Sequence, residues 1–323
     1  MFDPISPFGK PISDLFIFIL ILGAFVFLLV FGIVVYAILS SRRRVRNGEE
    51  ARQIFGNNRL EITWTLGATA LVIFLFVLTV ITMNTSDPAI VSADQQNPDV
   101  VIVGHQWWWE YQYPKAGKGA DGRPLVTTAN EMHMPVGTKF VAKLEAADVI
   151  HDFWVPQLGR KMDMIPGKND NYLTLQSDKT GELLGACAEY CGAQHAWMTI
   201  HVIVQSQADF NNWLQSQKQP PAAPATTSSI GGNPARGQQI FLQNTCINCH
   251  AISGTTANAN VAPNLTYLGR RKILGAGIIE NTPRNLQDWI LNPQSIKPGV
   301  KMPGYQFSAE DIKDLVAYLE EQK

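Results

Sequence analysis

The sequence predicts a multidomain membrane protein in which a two-helix transmembrane hairpin carries an all-β sandwich and, beyond a linker, a small all-α domain. Three observations point there. Two long uncharged apolar runs open the chain, short β-type runs broken by turn residues follow, and a segment poor in apolar residues separates these from a helical tail. The overall composition, 46% hydrophobic and 16% charged, averages over that division and fits no single soluble domain.

From Leu15 to Leu39 there are 25 residues without a charge, and from Ile62 to Met83 another 22. Crossing a hydrocarbon core of roughly 30 Å takes about 20 helical residues. A buried helix of a large soluble protein can be apolar all round, but two such runs within the first 83 residues argue for membrane spans. The first is also longer than a signal peptide's apolar region of about 7–15 residues. Residues 1–87 are read as the hairpin. Its connecting segment holds Arg42, Arg43, Arg44, Arg46, Arg52 and Arg59 against Glu49, Glu50 and Glu61, whereas the first ten residues hold one Lys. Short basic loops stay in the cytoplasm. The N-terminus and everything after Asn84 are therefore expected on the outer face of a bacterial plasma (inner) membrane.

Residues 88–216 contain β-type runs at Val100–Val103, Trp107–Tyr113, Lys139–Leu144, Ile150–Val155, Tyr172–Leu175 and Ile200–Val204, separated by Gly, Pro, Asn and Asp. Short strands between turn signals predict a sandwich or barrel. Residues 217–233, QKQPPAAPATTSSIGGN, have little to bury and read as a flexible linker. In residues 234–323 helices are expected at Ala235–Asn244, Pro283–Leu291 and Ala309–Glu321, the last with Ser308 as N-cap and the acidic Asp311 three residues on. Residues 84–216 hold 9 Lys/Arg and 15 Asp/Glu, and residues 234–323 hold 9 and 7, giving −6 and +2. Opposite signs favour docking of one outer domain on the other. No basic run suggests nucleic acid.

The four cysteines, Cys187, Cys191, Cys246 and Cys249, lie outside the cytoplasm and must first be weighed as disulfides. Their spacings belong to patterns that disulfides do not require. Cys246-Ile-Asn-Cys249-His250 is a C-x-x-C-H motif. Two thiols on one helical turn can each add to a vinyl group of one porphyrin, holding His250 beneath the iron. A bare C-x-x-C could be redox-active or half a zinc site; the adjacent His favours covalent haem c. Residues 251–323 contain no further His and one Met, Met302, in a polar Lys-Met-Pro-Gly turn. Met302 is the candidate sixth ligand, and thioether ligation opposite His suits an electron carrier; its other reading is a buried core Met.

Cys187-Ala-Glu189-Tyr-Cys191-Gly-Ala-Gln-His195-Ala-Trp-Met198 offers two thiolates, an imidazole and a thioether within twelve residues, with His151 upstream. Such soft ligands suit copper. A structural zinc cage could use both Cys and both His, but has no use for the methionine. A mononuclear blue-copper site uses a single Cys. Two copper ions sharing two thiolates account for the spare one, each with one imidazole and one weak ligand, for which Met198 and the Glu189 carbonyl are candidates.

This loop, with Asp148-Val-Ile-His151-Asp-Phe-Trp-Val-Pro-Gln-Leu-Gly and Lys161-Met-Asp163-Met-Ile-Pro-Gly, resembles subunit II of cytochrome c oxidase over about residues 14–210. The resemblance implies a cupredoxin-like sandwich holding the binuclear CuA centre at His151, Cys187, Glu189, Cys191, His195 and Met198. Residues 234–323 resemble class I cytochromes c, which implies that Pro263 in Ala-Pro-Asn-Leu orients His250 through its carbonyl. Together they are similar to the fused subunit II of caa3-type oxidases. From the resemblance alone, the Glu189 side chain is expected to help bind magnesium at subunit I, Trp107 to be the electron-entry tryptophan, and Glu61 to lie near the cytoplasmic mouth of a proton pathway. Strand packing is the other reading of the Trp107–Trp109 run, and an interfacial Glu fits position 61 equally well. Family members often carry a proline where this chain has Leu66-Gly67-Ala68. His105, His133 and His201 are read as structural or interfacial.

The implied function is electron transfer in a respiratory, proton-translocating oxidase, from a donor through haem c and CuA to a subunit I that holds haem a, haem a3 and CuB. Subunit III is a further expected partner. The donor would be a cytochrome c or a quinol-oxidising complex. No candidate oxygen-reducing centre lies in this chain. A CuA-containing nitric oxide reductase subunit, or a stand-alone membrane-anchored carrier, are the competing readings.

Overall fold

The structure, a computed structural model, describes residues 3–50, 55–88, 92–119 and 122–323. Arg52, counted above in the basic connecting segment, lies outside them. Helices α1 (Gly9–Arg46) and α2 (Asn58–Ser86) form an antiparallel pair, both long and apolar enough to cross a membrane. Their apolar side chains point outward: Ile21, Phe27 and Phe76 are largely exposed, as lipid contact requires. Both helices outrun the uncharged stretches, and a polar end caps α2. The Asn57 side chain accepts from the Arg59 and Leu60 N–H groups at 3.1 and 3.2 Å, while a Glu61 carboxylate oxygen accepts from the Asn57 N–H at 3.3 Å. α2 is continuous through Leu66-Gly67-Ala68. At the other end of the hairpin Ile5 packs into the sandwich core, donating to the Gln157 carbonyl at 3.3 Å and accepting from the Asp178 N–H at 2.7 Å. The start of the chain and the sandwich thus sit at one end of the hairpin, and Arg43, Arg44 and Arg46 at the other.

A short α3 (Ser92–Gln96) leads into strands β1 (Val100–His105), β2 (Trp108–Gln112), β3 (Thr127–Ala129), β4 (Glu131–Pro135), β5 (Phe140–Ala146), β6 (His151–Trp154), β7 (Met162–Met164), β8 (Asn171–Leu175), β9 (Gly181–Cys187) and β10 (Thr199–Gln205), closed by α4 (Gln207–Ser216). Two five-stranded sheets result, ordered β3-β2-β1-β5-β8 and β4-β10-β9-β6-β7. The pairs β1/β5 and β10/β4 are parallel and the rest antiparallel. β10 shows the alternation behind the core: Ile200, Val202 and Val204 are buried while Thr199, His201, Ile203 and Gln205 are not. They meet Trp109, Tyr111, Met132, Met134, Leu144 and Phe153 between the sheets.

The second outer domain has α5 (Pro234–Gln243), the two-residue strands β11 (Ile273–Leu274) and β12 (Ile279–Glu280), α6 (Pro283–Leu291), α7 (Pro293–Ile296) and α8 (Ala309–Glu320). Ser308 caps α8, accepting from the Asp311 N–H at 3.1 Å. Phe241, Leu286, Ile290, Leu315, Tyr318 and Leu319 form its core. This domain is seated on the sandwich: Gln194 donates to the carbonyls of Lys297 and Pro298, Arg270 to the Ser216 hydroxyl, and Lys272 pairs with Glu182.

Candidate metal centre and cofactor pocket

Strand β6 starts at His151, and β9 ends at Cys187, beside it in the same sheet. The loop to β10 is pinned by the Cys187 N–H on the Met198 carbonyl, 3.1 Å, and the Ala188 N–H on the Asp152 carbonyl, 3.2 Å. This brings together all six residues picked from the sequence. Cys187 Sγ lies 3.8 Å from Cys191 Sγ, 3.9 Å from His151 Nδ1 and 3.3 Å from the Glu189 carbonyl. Cys191 Sγ lies 3.6 Å from His195 Nδ1 and 3.9 Å from Met198 Sδ. A first-row ion about 2.3 Å from sulfur and about 2.0 Å from nitrogen leaves two tetrahedral donors about 3.5 Å apart. The donor set is spaced for metal sharing, and the sulfurs stand well beyond the roughly 2.05 Å of a disulfide.

The electrostatics agree. The two thiols are hydrogen-bonded to each other, and that contact holds the Cys187 thiol well below its ordinary range and pushes that of Cys191 above it. One proton is shared between two sulfurs, and a cation would displace it. Burial alone would lower the His151 imidazole, but its bonds to Cys187 and Asp148 outweigh that and its pKa is raised. Asp148 Oδ1 sits 2.9 Å from His151 Nε2, which leaves Nδ1 toward the sulfurs. Gly104 on β1 makes room for this ring: a Cβ there would stand 2.8 Å from its Cδ2. The Glu189 carbonyl faces the cluster while its side chain is exposed.

In the helical domain, Cys246 and Cys249 occupy one tight turn after α5, with the Cys249 and His250 N–H groups on the Cys246 carbonyl at 3.2 and 3.0 Å. The Pro263 carbonyl lies 2.7 Å from His250 Nδ1, and burial lowers the imidazole pKa, so His250 presents a neutral Nε2. Cys246, Cys249, His250 and Met302 line one cavity with apolar walls from Leu268, Leu274, Ile290 and Leu315. Arg271, buried in the same lining, has an Nε with no partner among the described residues. Two thiols, an imidazole and a thioether around one apolar cavity, with a buried guanidinium that donates to the Asn264 carbonyl and keeps its Nε free, fit a covalently held haem with its carboxylates.

The cavity opens onto the sandwich at Gln106, Trp107, Trp108 and Asn130. The Trp107 indole N–H donates to the Cys191 carbonyl at 3.0 Å, and the Gln106 amide to the same oxygen at 2.8 Å. Trp107 thus touches both sites; Trp109 is core. His105 stacks on Trp108, His133 stacks on Trp213, and His201 lies in a crevice between the domains; none joins the sulfur cluster. Asp148, Arg271 and Gln194 escaped the sequence reading, since only the folded contacts reveal them.

The family model for the periplasmic domain of cytochrome c oxidase subunit II matches residues 99–206, that for its transmembrane domain residues 1–83, and that for cytochrome c residues 234–323. The cytochrome c oxidase subunit 2 of Alkalihalophilus pseudofirmus is 35% identical over 99% of this chain and 90% of its own length. That of Bacillus sp. strain PS3 is 34% identical over 85% and 78%. The crystal structure of the periplasmic domain of subunit II of cytochrome oxidase from Bradyrhizobium japonicum covers 38% of this chain and 94% of its own, at 35% identity and a TM-score of 0.33.

Proposed function

The chain belongs to the cytochrome c oxidase subunit II family, with a cytochrome c domain fused to its C-terminus, and from that we propose that it is the electron-entry subunit of a respiratory, proton-translocating terminal oxidase. The observation that carries this is the cluster of two thiols, two imidazoles and a thioether, joined through Trp107 to the cavity that Cys246, Cys249, His250 and Met302 line. When bound, haem c and the CuA pair supply one-electron relay from a donor to subunit I, which holds haem a, haem a3 and CuB.

The chain's own residues hold and orient these groups. Cys187 and Cys191 would hold the copper pair as thiolates, His151 and His195 would give one imidazole each, and Met198 and the Glu189 carbonyl would be the weak ligands. Asp148 fixes the His151 tautomer. Cys246 and Cys249 would hold haem covalently, His250 and Met302 would ligate its iron, and Arg271 would be offered to a carboxylate. Trp107 is the residue through which the copper site is entered, supported by its place between cavity and Cys191. The exposed Glu189 carboxylate suits a magnesium ion shared with subunit I. The proton-pathway role of Glu61 rests on the family resemblance, since its carboxylate already caps α2. Subunit III and a cytochrome c or quinol-oxidising complex complete the assembly, in a bacterial plasma membrane with both redox domains outside; the docking of Ile5 on the sandwich supports that orientation.

The ligand assignment is tested by metal and haem analysis of the complex purified through a tag on this chain. Cys191→Ser is expected to lose its copper and keep haem c, and Cys249→Ser to keep copper and lose the normal haem c spectrum. Full copper content in Cys191→Ser would contradict it.

A further inference from the structure

Two charged side chains cross the boundary between the outer domains in opposite directions, and both are buried. Lys297, just after α7, is 1% exposed and donates from Nζ to the Gly275 carbonyl in its own domain at 2.8 Å and to the Trp107 carbonyl of the sandwich at 3.2 Å. Among the described residues no carboxylate lies within ion-pair distance of it. Glu131, on β4, is 3% exposed, and one carboxylate oxygen accepts from the Lys272 and Ile273 N–H groups of the helical domain at 2.6 and 2.9 Å. A buried charge is costly unless hydrogen-bonded. Only the seated arrangement gives the carboxylate both its N–H donors and the ammonium its second carbonyl.

We propose that Lys297 and Glu131 are reciprocal anchors that hold the helical domain in one orientation on the sandwich, its cavity mouth on Trp107, and that they are thereby positioning residues for transfer between the two sites; this rests on the reading of those sites given above. A tether already gives the docking domain an effective concentration on the order of millimolar. Orientation is what the tether does not supply. A misplaced pose buries an ammonium or a carboxylate without partners, so the anchors act against wrong poses more than for tight binding. The exposed Lys272–Glu182 pair at the rim is screened by salt and selects less.

The test uses the purified oxidase complex and hydrogen exchange at the Lys272 and Ile273 amides, which exchange only when Glu131 releases them. Lys297→Met is expected to speed that exchange about tenfold, the usual consequence of losing a charged hydrogen bond, with α8 amides unchanged. Alongside, haem c is photoreduced and copper reduction followed. Lys297→Met and Glu131→Leu both slow this step at unchanged haem and copper content, whereas Glu131→Gln, whose amide oxygen still accepts both N–H groups, stays near the unaltered rate. The two residues sit in different domains, so a shared slowing is not local damage to either. Unaltered exchange in Lys297→Met, or transfer that Glu131→Leu leaves at full rate, overturns the proposal. Failure of copper reduction in the unaltered complex overturns instead the two-site reading on which it rests.

Discussion

At the copper cluster Asp148 works by holding another residue. Its carboxylate accepts from the Gln106 and Val149 N–H groups at 2.7 and 2.8 Å while facing His151 Nε2, so the imidazole is fixed before any metal arrives. Loss of such a partner typically costs about 10–100-fold in metal affinity. Asp148→Ala is expected to release copper to a chelator in that range, whereas unchanged affinity would mean that the loop alone orients the ring. A second residue predicts a pH dependence. Burial lowers the His133 pKa from 6.5 to about 4. Below pH 6.5 the unfolded chain takes up a proton that the folded sandwich refuses, so stability is full above 6.5 and falls as the pH drops toward 4. Thermal unfolding should register the loss, up to about 1 kcal/mol per pH unit, and His133→Gln should flatten it. The proposed ligands could be picked from the sequence because most are rare residue types at a fixed spacing in one loop or turn. Asp148, Arg271 and Lys297 could not, because an Asp, Arg or Lys declares a role only through what the fold sets beside it.

Among the elements, legibility followed length and alternation. The six β-type runs read from the sequence became β1, β2, β5, β6, β8 and β10, each with apolar positions for one sheet face. The strands it missed had no such signal: β3 and β7 are three residues long, β11 and β12 two, β4 ends in Pro135, and β9 is exposed at Glu182 and Leu184, with glycines at 181 and 185. Those glycines lower strand propensity, yet Gly185 is where the chain passes against Trp154. Gly237 in α5 is a parallel case: a poor helix former by propensity, it lets α5 cross α8, since a Cβ there would strike the Asp314 carbonyl and the Tyr318 side chain. Gly237→Ala, neutral or favourable in an isolated helix, is expected to destabilise the helical domain by about 1–3 kcal/mol through overpacking. A lowered melting temperature of the haem c absorption checks this; an unchanged one would mean that α8 shifts freely.

Taken as a whole, the molecule joins three parts whose order was readable from composition and whose mutual placement was not. Charges of −6 and +2 on the outer domains gave an attraction without a face. The face depends on single contacts, Glu131 with two backbone amides and Lys297 with one carbonyl, that no propensity encodes. Ile5 and Phe8, buried just ahead of α1, tie the hairpin to the sandwich. The central claim, that this chain brings a copper pair and haem c to an oxygen-reducing partner, is tested most directly by haem extraction with a copper count on the tagged complex. The account predicts haem c together with haem a, and about three coppers per haem c, of which the two in this chain disappear when Cys187 and Cys191 are both serine while the one in subunit I stays. Haem c accompanied by haem b and non-haem iron, or a full copper count that survives the double replacement, would contradict it.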